Sequence, residues 1–218
     1  MSTTFKDQLE NHYPILVMQR DFDGVAELNE RLFELIEGLA ERYADTPENA
    51  VKSGKISTQG GYQTSTESNL FTLESDAVRE LRDDILLPAV RTYLEAVFGD
   101  EASQMDPWLV GWANLLAPGD WQGPHYHPTD SNLASAVYYV RLPGDRPNPE
   151  GRIEFVNPIQ ASTYHGYSAT RRLHPREGKL VLFPPYYMHY VHPFKGDRRR
   201  AVIAFDVLAR RPGMQLVF

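Results

Sequence analysis

From Trp108 onward the sequence breaks into short apolar runs: WLVGWANLL (108–116), SAVYYVRL (135–142), RIEFVN (152–157), KLVLFPP (179–185) and RAVIAFDVL (200–208). Between them stand PGD, PGDRPNPEG, HPREG and FKGD, whose glycines, prolines and aspartates are turn formers. Runs of this length, rich in Val, Ile, Tyr and Phe, predict β-strands joined by turns. Several are apolar on successive residues rather than alternate ones, so both of their faces must be covered. A jelly-roll barrel packed on helices meets that demand, with one face lining the barrel and the other lying under the helices.

The helices are legible upstream. Residues 22–43 place Val25, Leu28, Leu32, Leu35, Ile36, Leu39 and Tyr43 at helical spacing, with Glu and Arg opposite. A second helical stretch runs from about Asp76 to Phe98 and turns Val78, Leu81, Ile85, Val90, Leu94 and Val97 inward. Pro88 is expected to kink or divide it. Residues 46–74, rich in Gly, Ser, Thr, Asn and Gln and including Gly60-Gly61, read as a long surface loop with room for one short strand. The whole, 1–218, reads as a single domain: a helical and loop part over 1–105, then a β core over 106–209. The two long helices offer a surface for a homodimer.

Bulk properties narrow the chemistry. With 29 Asp and Glu against 22 Lys and Arg, no general field attracts nucleic acid or an anionic membrane. The absence of cysteine excludes disulfides, zinc-thiolate sites and iron–sulfur clusters, so a bound metal must use His, carboxylate or carbonyl ligands. The opening MSTTFKDQLENHYP lacks the apolar stretch of a signal peptide, and no later run approaches bilayer-spanning length. These features predict a soluble, cytoplasmic protein.

His125-Tyr126-His127 follows a turn, and alternate residues of a strand share a face, so both imidazoles can reach one ion. Such a pair is more often a surface or hydrogen-bonding feature than a metal site. Its weight comes from KLVLFPPYYMHYVHP (179–193), an apolar strand that ends in His189 and His192. These two face opposite sides of a regular strand, so only one looks into the barrel, and His189 is the choice. Three nitrogen ligands on an octahedral ion leave three open positions, which suits iron binding a bidentate keto acid and dioxygen. Arg200 opens the strand RAVIAFDVL. If Arg200, Val202 and Ala204 face inward, Ala201, Ile203 and Phe205 face the helices, and a guanidinium enters the barrel as a carboxylate fork. Equally, Arg198 to Arg200 read as one solvated basic turn.

With these residues in view, the chain resembles 2-oxoglutarate and iron(II)-dependent oxygenases, in particular a bacterial and phage group related to the prolyl hydroxylases. The likeness spans roughly residues 107–208 and is carried by WANLLAPGDWQGPHYHP, SAVYYV, GRIEFVNP, EGKLVLFPPYYMHYVHP and RRAVIAFDV. It implies a mainly β fold with N-terminal helices, a double-stranded β-helix (jelly-roll, cupin-like). It also implies Fe(II) with 2-oxoglutarate as cosubstrate, oxidative decarboxylation to succinate, and hydroxylation of a small-molecule or peptide substrate. The family's His-x-Val-x-Pro falls on His189, Val191 and Pro193, and its strand-opening arginine on Arg200. The second tyrosine of its Tyr-Tyr pair, which helps bind the 2-oxoglutarate carboxylate, falls on Tyr139. Asn114 resembles a further cosubstrate-pocket position.

One departure stands out: the family's usual His-x-Asp or His-x-Glu is here His125-x-His127, which leaves an extra positive charge at the metal. Asp130 is the reserve carboxylate. The competing readings are a three-histidine cupin-type dioxygenase or isomerase without 2-oxoglutarate, and a non-catalytic jelly-roll whose histidines hold a closed structural ion. Trp121, Tyr126, Tyr186, Tyr187 and Tyr190 surround the site segments, as pocket walls or as ordinary packing.

Overall fold

The apolar runs become strands of two antiparallel sheets in the computed structural model, which describes residues 15–65, 67–128, 130–144 and 150–210. In chain order the strands are β1 (Met18–Asp21), β2 (Thr58–Gln59), β3 (Tyr62–Gln63), β4 (Asp106–Leu116), β5 (Trp121–His125) and β6 (Asn132–Arg141). They continue with β7 (Ile153–Val156), β8 (Thr170–Arg172), β9 (Lys179–Phe183), β10 (His189–Val191) and β11 (Arg200–Arg210). The large sheet runs β1-β9-β6-β11-β4-β3 and the small one β2-β5-β10-β7-β8. This is the double-stranded β-helix expected.

Strand β11, paired with β4 on one side and β6 on the other, shows the period of two plainly. Ala201, Ile203, Phe205 and Val207 join the helices in one apolar cluster, whereas Arg200, Val202, Ala204 and Asp206 line a cavity between the sheets. A second cluster lies between the sheets and forms part of the cavity wall, where Tyr139, Val181 and Val202 of the large sheet meet Phe155 and Val191 of the small one.

Helix α1 (Ala26–Tyr43) begins later than its apolar spacing suggested, because Met18–Asp21 extends to pair with β9. Its buried face combines Leu28, Leu32 and Ile36 with Asn29, Phe33 and Ala40. Asn29 is tolerated there because its side-chain oxygen accepts a 2.8 Å hydrogen bond from the Tyr138 hydroxyl. Pro88 neither ends nor splits the second helical stretch. Helix α2 (Asp76–Glu80) passes through a π-helical turn, Leu81–Leu86, into α3 (Leu87–Phe98). A proline ring collides with the carbonyl four residues earlier, and the wider turn just before it relieves that contact.

Residues 46–74 hold more structure than a loop. The segment carries 3-10 turns at Ala50–Ser53 and Leu70–Thr72 and the two short strands β2 and β3, and it buries Tyr62, Leu70 and Phe71. Phe71 fits because Gly111 opposite it has no side chain; a Cβ there would lie 2.4 Å from the ring. Strand β3 pairs with β4 of the large sheet while β2 pairs with β5 of the small one, so this segment joins both walls of the barrel. The N-terminal half thus supplies strands to each sheet as well as the helices behind one of them.

Candidate active site

His125 ends β5 and His189 opens β10, and the two residues are direct cross-strand partners. Their rings lie 4.3 Å apart, centroid to centroid. His127 is two residues beyond His125; its backbone N–H donates to the Pro185 carbonyl at 2.9 Å, which brings its ring to 5.4 Å from that of His189. One ligand nitrogen from each histidine falls within 4.8 Å of the others.

The hydrogen bonds fix which nitrogen that is. Nδ1 of His125 lies 2.7 Å from the Gly123 carbonyl, and Nδ1 of His189 lies 2.9 Å from the Tyr187 carbonyl. A carbonyl only accepts, so both Nδ1 atoms carry the proton and Nε2 keeps its lone pair. Nδ1 of His127 lies 2.7 Å from Oδ1 of Asp206, with the same consequence. Burial pushes His125 down to about 4, helped by neighbouring His127 and partly opposed by the Gly123 carbonyl. Burial, then the proximity of His125, pushes His189 down to about 2. Both imidazoles are therefore neutral donors at ordinary pH, as metal ligation requires.

The large sheet supplies the opposite wall in rows set by strand register. Tyr139, Val202 and Asn114 stand abreast on β6, β11 and β4; Val137, Ala204 and Trp112 form the next row, and Ser135, Asp206 and Val110 the third. Trp112 stacks on His127 at 5.5 Å and 30°. Arg200 lies at the deep end, only 1% exposed. Its neighbour Arg199 turns outward onto Glu37, so the two do not form one solvated basic turn.

Among the described residues no carboxylate reaches Arg200. Its Nε and one terminal nitrogen are buried without a hydrogen-bond partner, as is the side-chain amide nitrogen of Asn114. The guanidinium carbon sits 5.5 Å from the centre of the Tyr139 ring, and the buried Tyr139 hydroxyl beside it lacks a properly aligned partner. Burial pulls the guanidinium down from its ordinary value, while that tyrosine favours its charged form. An unpaired cation inside a barrel is costly, so these donors call for a carboxylate. They adjoin a cavity of about 450 Å³ that reaches the three histidines. The donor sets thus fit both an octahedral metal and a dicarboxylate keto acid.

Other expectations are placed as follows. Asp130 is exposed and does not join the histidines. His192 points away, with Nε2 2.5 Å from Glu154 on the outer face of the small sheet. Of the five aromatics singled out, Tyr126 lines the cavity; Tyr187 stacks on Phe155 at 4.6 Å, and Tyr190 packs on His192. The sequence reading passed over Asp206, although the period of two places it on the face of Arg200, Val202 and Ala204. It also passed over Gln63 and Gln122, which line the cavity and meet through Thr58: Gln122 donates to the Thr58 hydroxyl, which donates to Gln63.

Residues 111–206 match the family model described as "Putative 2OG-Fe(II) oxygenase". Solved structures share the fold. A Pseudomonas putida prolyl-4-hydroxylase is 16% identical, with a TM-score of 0.62 over 89% of this chain and 92% of that one. A Trichoplax adhaerens prolyl hydroxylase, in complex with a hypoxia inducible factor peptide fragment, is 11% identical, with a TM-score of 0.63 over 88% of this chain and 83% of that one. HygX from Streptomyces hygroscopicus, with nickel and 2-oxoglutarate bound, is 15% identical, with a TM-score of 0.56 over 89% and 82% respectively. No curated protein matches the sequence. Over residues 111–206 the chain is thus similar to the 2-oxoglutarate and iron(II)-dependent oxygenases, and it shares the fold of these solved structures.

Proposed function

We propose that the protein hydroxylates a peptide or small-molecule substrate, with His125, His127 and His189 as the iron ligands and Arg200, Tyr139 and Asn114 as the cosubstrate clamp. The observation that carries this reading is Arg200, a buried guanidinium with unpartnered donors among the described residues, in the same cavity as the three imidazoles. When bound, iron and 2-oxoglutarate supply the oxidising power, and the chain supplies everything else. Arg200 grips the distal carboxylate through its rigid fork, while Tyr139 and Asn114 offer it further donors. His125, His127 and His189 would hold the iron through one nitrogen each, and as three protein ligands they would leave room for the cosubstrate. Val202 and Ala204 line the path between clamp and histidines with apolar surface, which excludes water and strengthens each polar contact inside.

A three-histidine cupin-type enzyme without 2-oxoglutarate is not favoured, since it has no use for a buried arginine facing the metal. The reading treats 1–105 and 106–209 as parts of one catalytic domain, because strands from the first part complete both sheets of the second. It places the protein in the cytoplasm on the absence of cysteine; among the described residues no helix is long and apolar enough to cross a membrane.

The test is an anaerobic titration of metal-free protein with iron(II) and then 2-oxoglutarate, following the weak visible band of a chelated keto acid. The band is expected only when both are present. Arg200→Ala is expected to retain iron and weaken 2-oxoglutarate binding at least tenfold, whereas His189→Ala loses stoichiometric iron. Equal loss of metal in both variants would refute these roles.

A further inference from the structure

The carboxylate that the family's usual motif places on the metal is absent at position 127, yet a carboxylate stands one bond further out. Oδ1 of Asp206 accepts from Nδ1 of His127 at 2.7 Å and from the Ser135 hydroxyl at 2.7 Å. Ser135 is held in turn by the Asn132 amide at 3.2 Å, whose side-chain oxygen accepts from the Ala134 backbone N–H at 3.2 Å. His127 is only 6% exposed in its side chain and Asp206 16%, so the pair is largely shielded from water. His125 and His189, by contrast, donate to neutral backbone carbonyls. One ligand of the three therefore has an anionic partner.

We propose that Asp206 is a positioning residue for the metal: it fixes the His127 tautomer and orientation and delivers through that ring the negative charge that a ligating carboxylate would otherwise supply. This rests on the assignment of His125, His127 and His189 as ligands. A hydrogen-bonded carboxylate makes an imidazole a stronger donor, and losing such a partner ordinarily costs 10- to 100-fold in metal affinity, about 1.4 to 2.8 kcal/mol. Position makes the arrangement specific to this strand. Asp206 is the third inward residue after Arg200, so one strand carries both the cosubstrate cation and the anion behind the metal, with Val202 and Ala204 between them.

The test is a cobalt(II) titration of the metal-free full chain, read by calorimetry and by the visible ligand-field bands. It compares Asp206→Asn, Ser135→Ala and the same Asp206→Asn change in a His127→Asp background. Asparagine retains the shape and a hydrogen-bond acceptor but removes the charge. In the otherwise native chain, Asp206→Asn is expected to weaken cobalt about 10- to 100-fold and shift its bands, with Ser135→Ala weaker in the same direction. In the His127→Asp background the carboxylate sits on the metal itself, so Asp206→Asn is expected to be neutral or favourable. A similar loss in both backgrounds would mean that Asp206 serves folding alone, and no loss in the native background would overturn the proposal. If His127→Asp binds no cobalt, the affinity and bands of the two single variants decide, with far-UV circular dichroism separating a misfolded chain. Failure of the native chain to bind cobalt through His125 and His189 would instead refute the ligand assignment on which the proposal stands.

Discussion

The two sheets that face each other across the cavity are secured by different physics. The large sheet is buried on both faces, under α1 to α3 on one side and against the barrel interior on the other. The small sheet carries its apolar side chains Phe155, Val191 and Ile153 on its inner face and no helix of the large-sheet cluster covers the other. On its outer face Glu154 lies opposite Tyr190 and binds Arg172 at 2.6 Å and His192 at 2.5 Å. Yet His125 and His189 stand on this second, more polar wall, while Arg200 stands on the first. The proposed iron ligands and the proposed cosubstrate cation therefore depend on separate sources of stability, and His127 with Asp206 ties the two walls together.

That contrast can be broken most forcefully in the large sheet. Phe205 is fully buried and meets Phe71 edge-on at 5.8 Å. Truncation to alanine is expected to cost about 3 to 5 kcal/mol. Urea denaturation should report this as a lower midpoint, and a cost below about 1 kcal/mol would mean that the helix-covered face is not the main anchor.

Acid should discriminate between the walls next. Burial alone would raise the Glu154 carboxyl, but hydrogen bonds from Arg172, Thr170 and His192 outweigh it and hold the group near 2. A depressed carboxyl contributes stability above its ordinary value near 4.5, and that contribution fades as pH falls towards 2. His125 and His189 behave in the same direction through a higher window. Being harder to protonate when folded, they favour the folded state above about 6.5 and withdraw that support as pH falls, His125 towards 4 and His189 towards 2. Thermal melts of the metal-free protein should fall from pH 7 to 3, and Glu154→Gln should lessen the fall below about 4.5 without changing it above. Unchanged slopes in that variant would show that Glu154 does not govern the small sheet.

The mildest change is His192→Ala, which leaves Glu154 its bond to Arg172. We expect a loss of less than about 1 kcal/mol and unaltered metal binding. Loss of metal in this variant would mean that the outer face reaches the iron ligands more directly than the geometry suggests.

Much of this was legible in the sequence, and the reason lies in the period of two. Parity separated His189 from His192 and put Arg200, Val202 and Ala204 on one face, all of which the strand register reproduces. The same count, carried one step further, reaches Asp206. It drew no notice because a lone aspartate in an apolar strand says nothing about a partner 79 residues away. Residues 46–74 were illegible for a related reason. Strands of two residues have no periodicity to read, and β2 and β3 exist through pairing with β5 and β4 rather than through local preference. The π-helical turn before Pro88 was likewise hidden, since a proline announces a disturbance without saying whether the helix absorbs it.

The connection from β2 to β3 reaches beyond stability. Its turn, Gly60-Gly61, takes positive φ at both residues and rests against Asp120, where a Cβ on Gly60 would lie 2.1 Å from the carboxylate. Lys55, Ile56 and Ser57, just before β2, and Gln63 in β3 line the cavity, yet none of them belongs to a strand that bears a proposed iron ligand. On the proposed function, Lys55, Ile56 and Ser57 are therefore positions where the cavity wall can be reshaped without altering a proposed iron ligand, whereas Gln63 is tied through Thr58 to Asn114 of the proposed clamp.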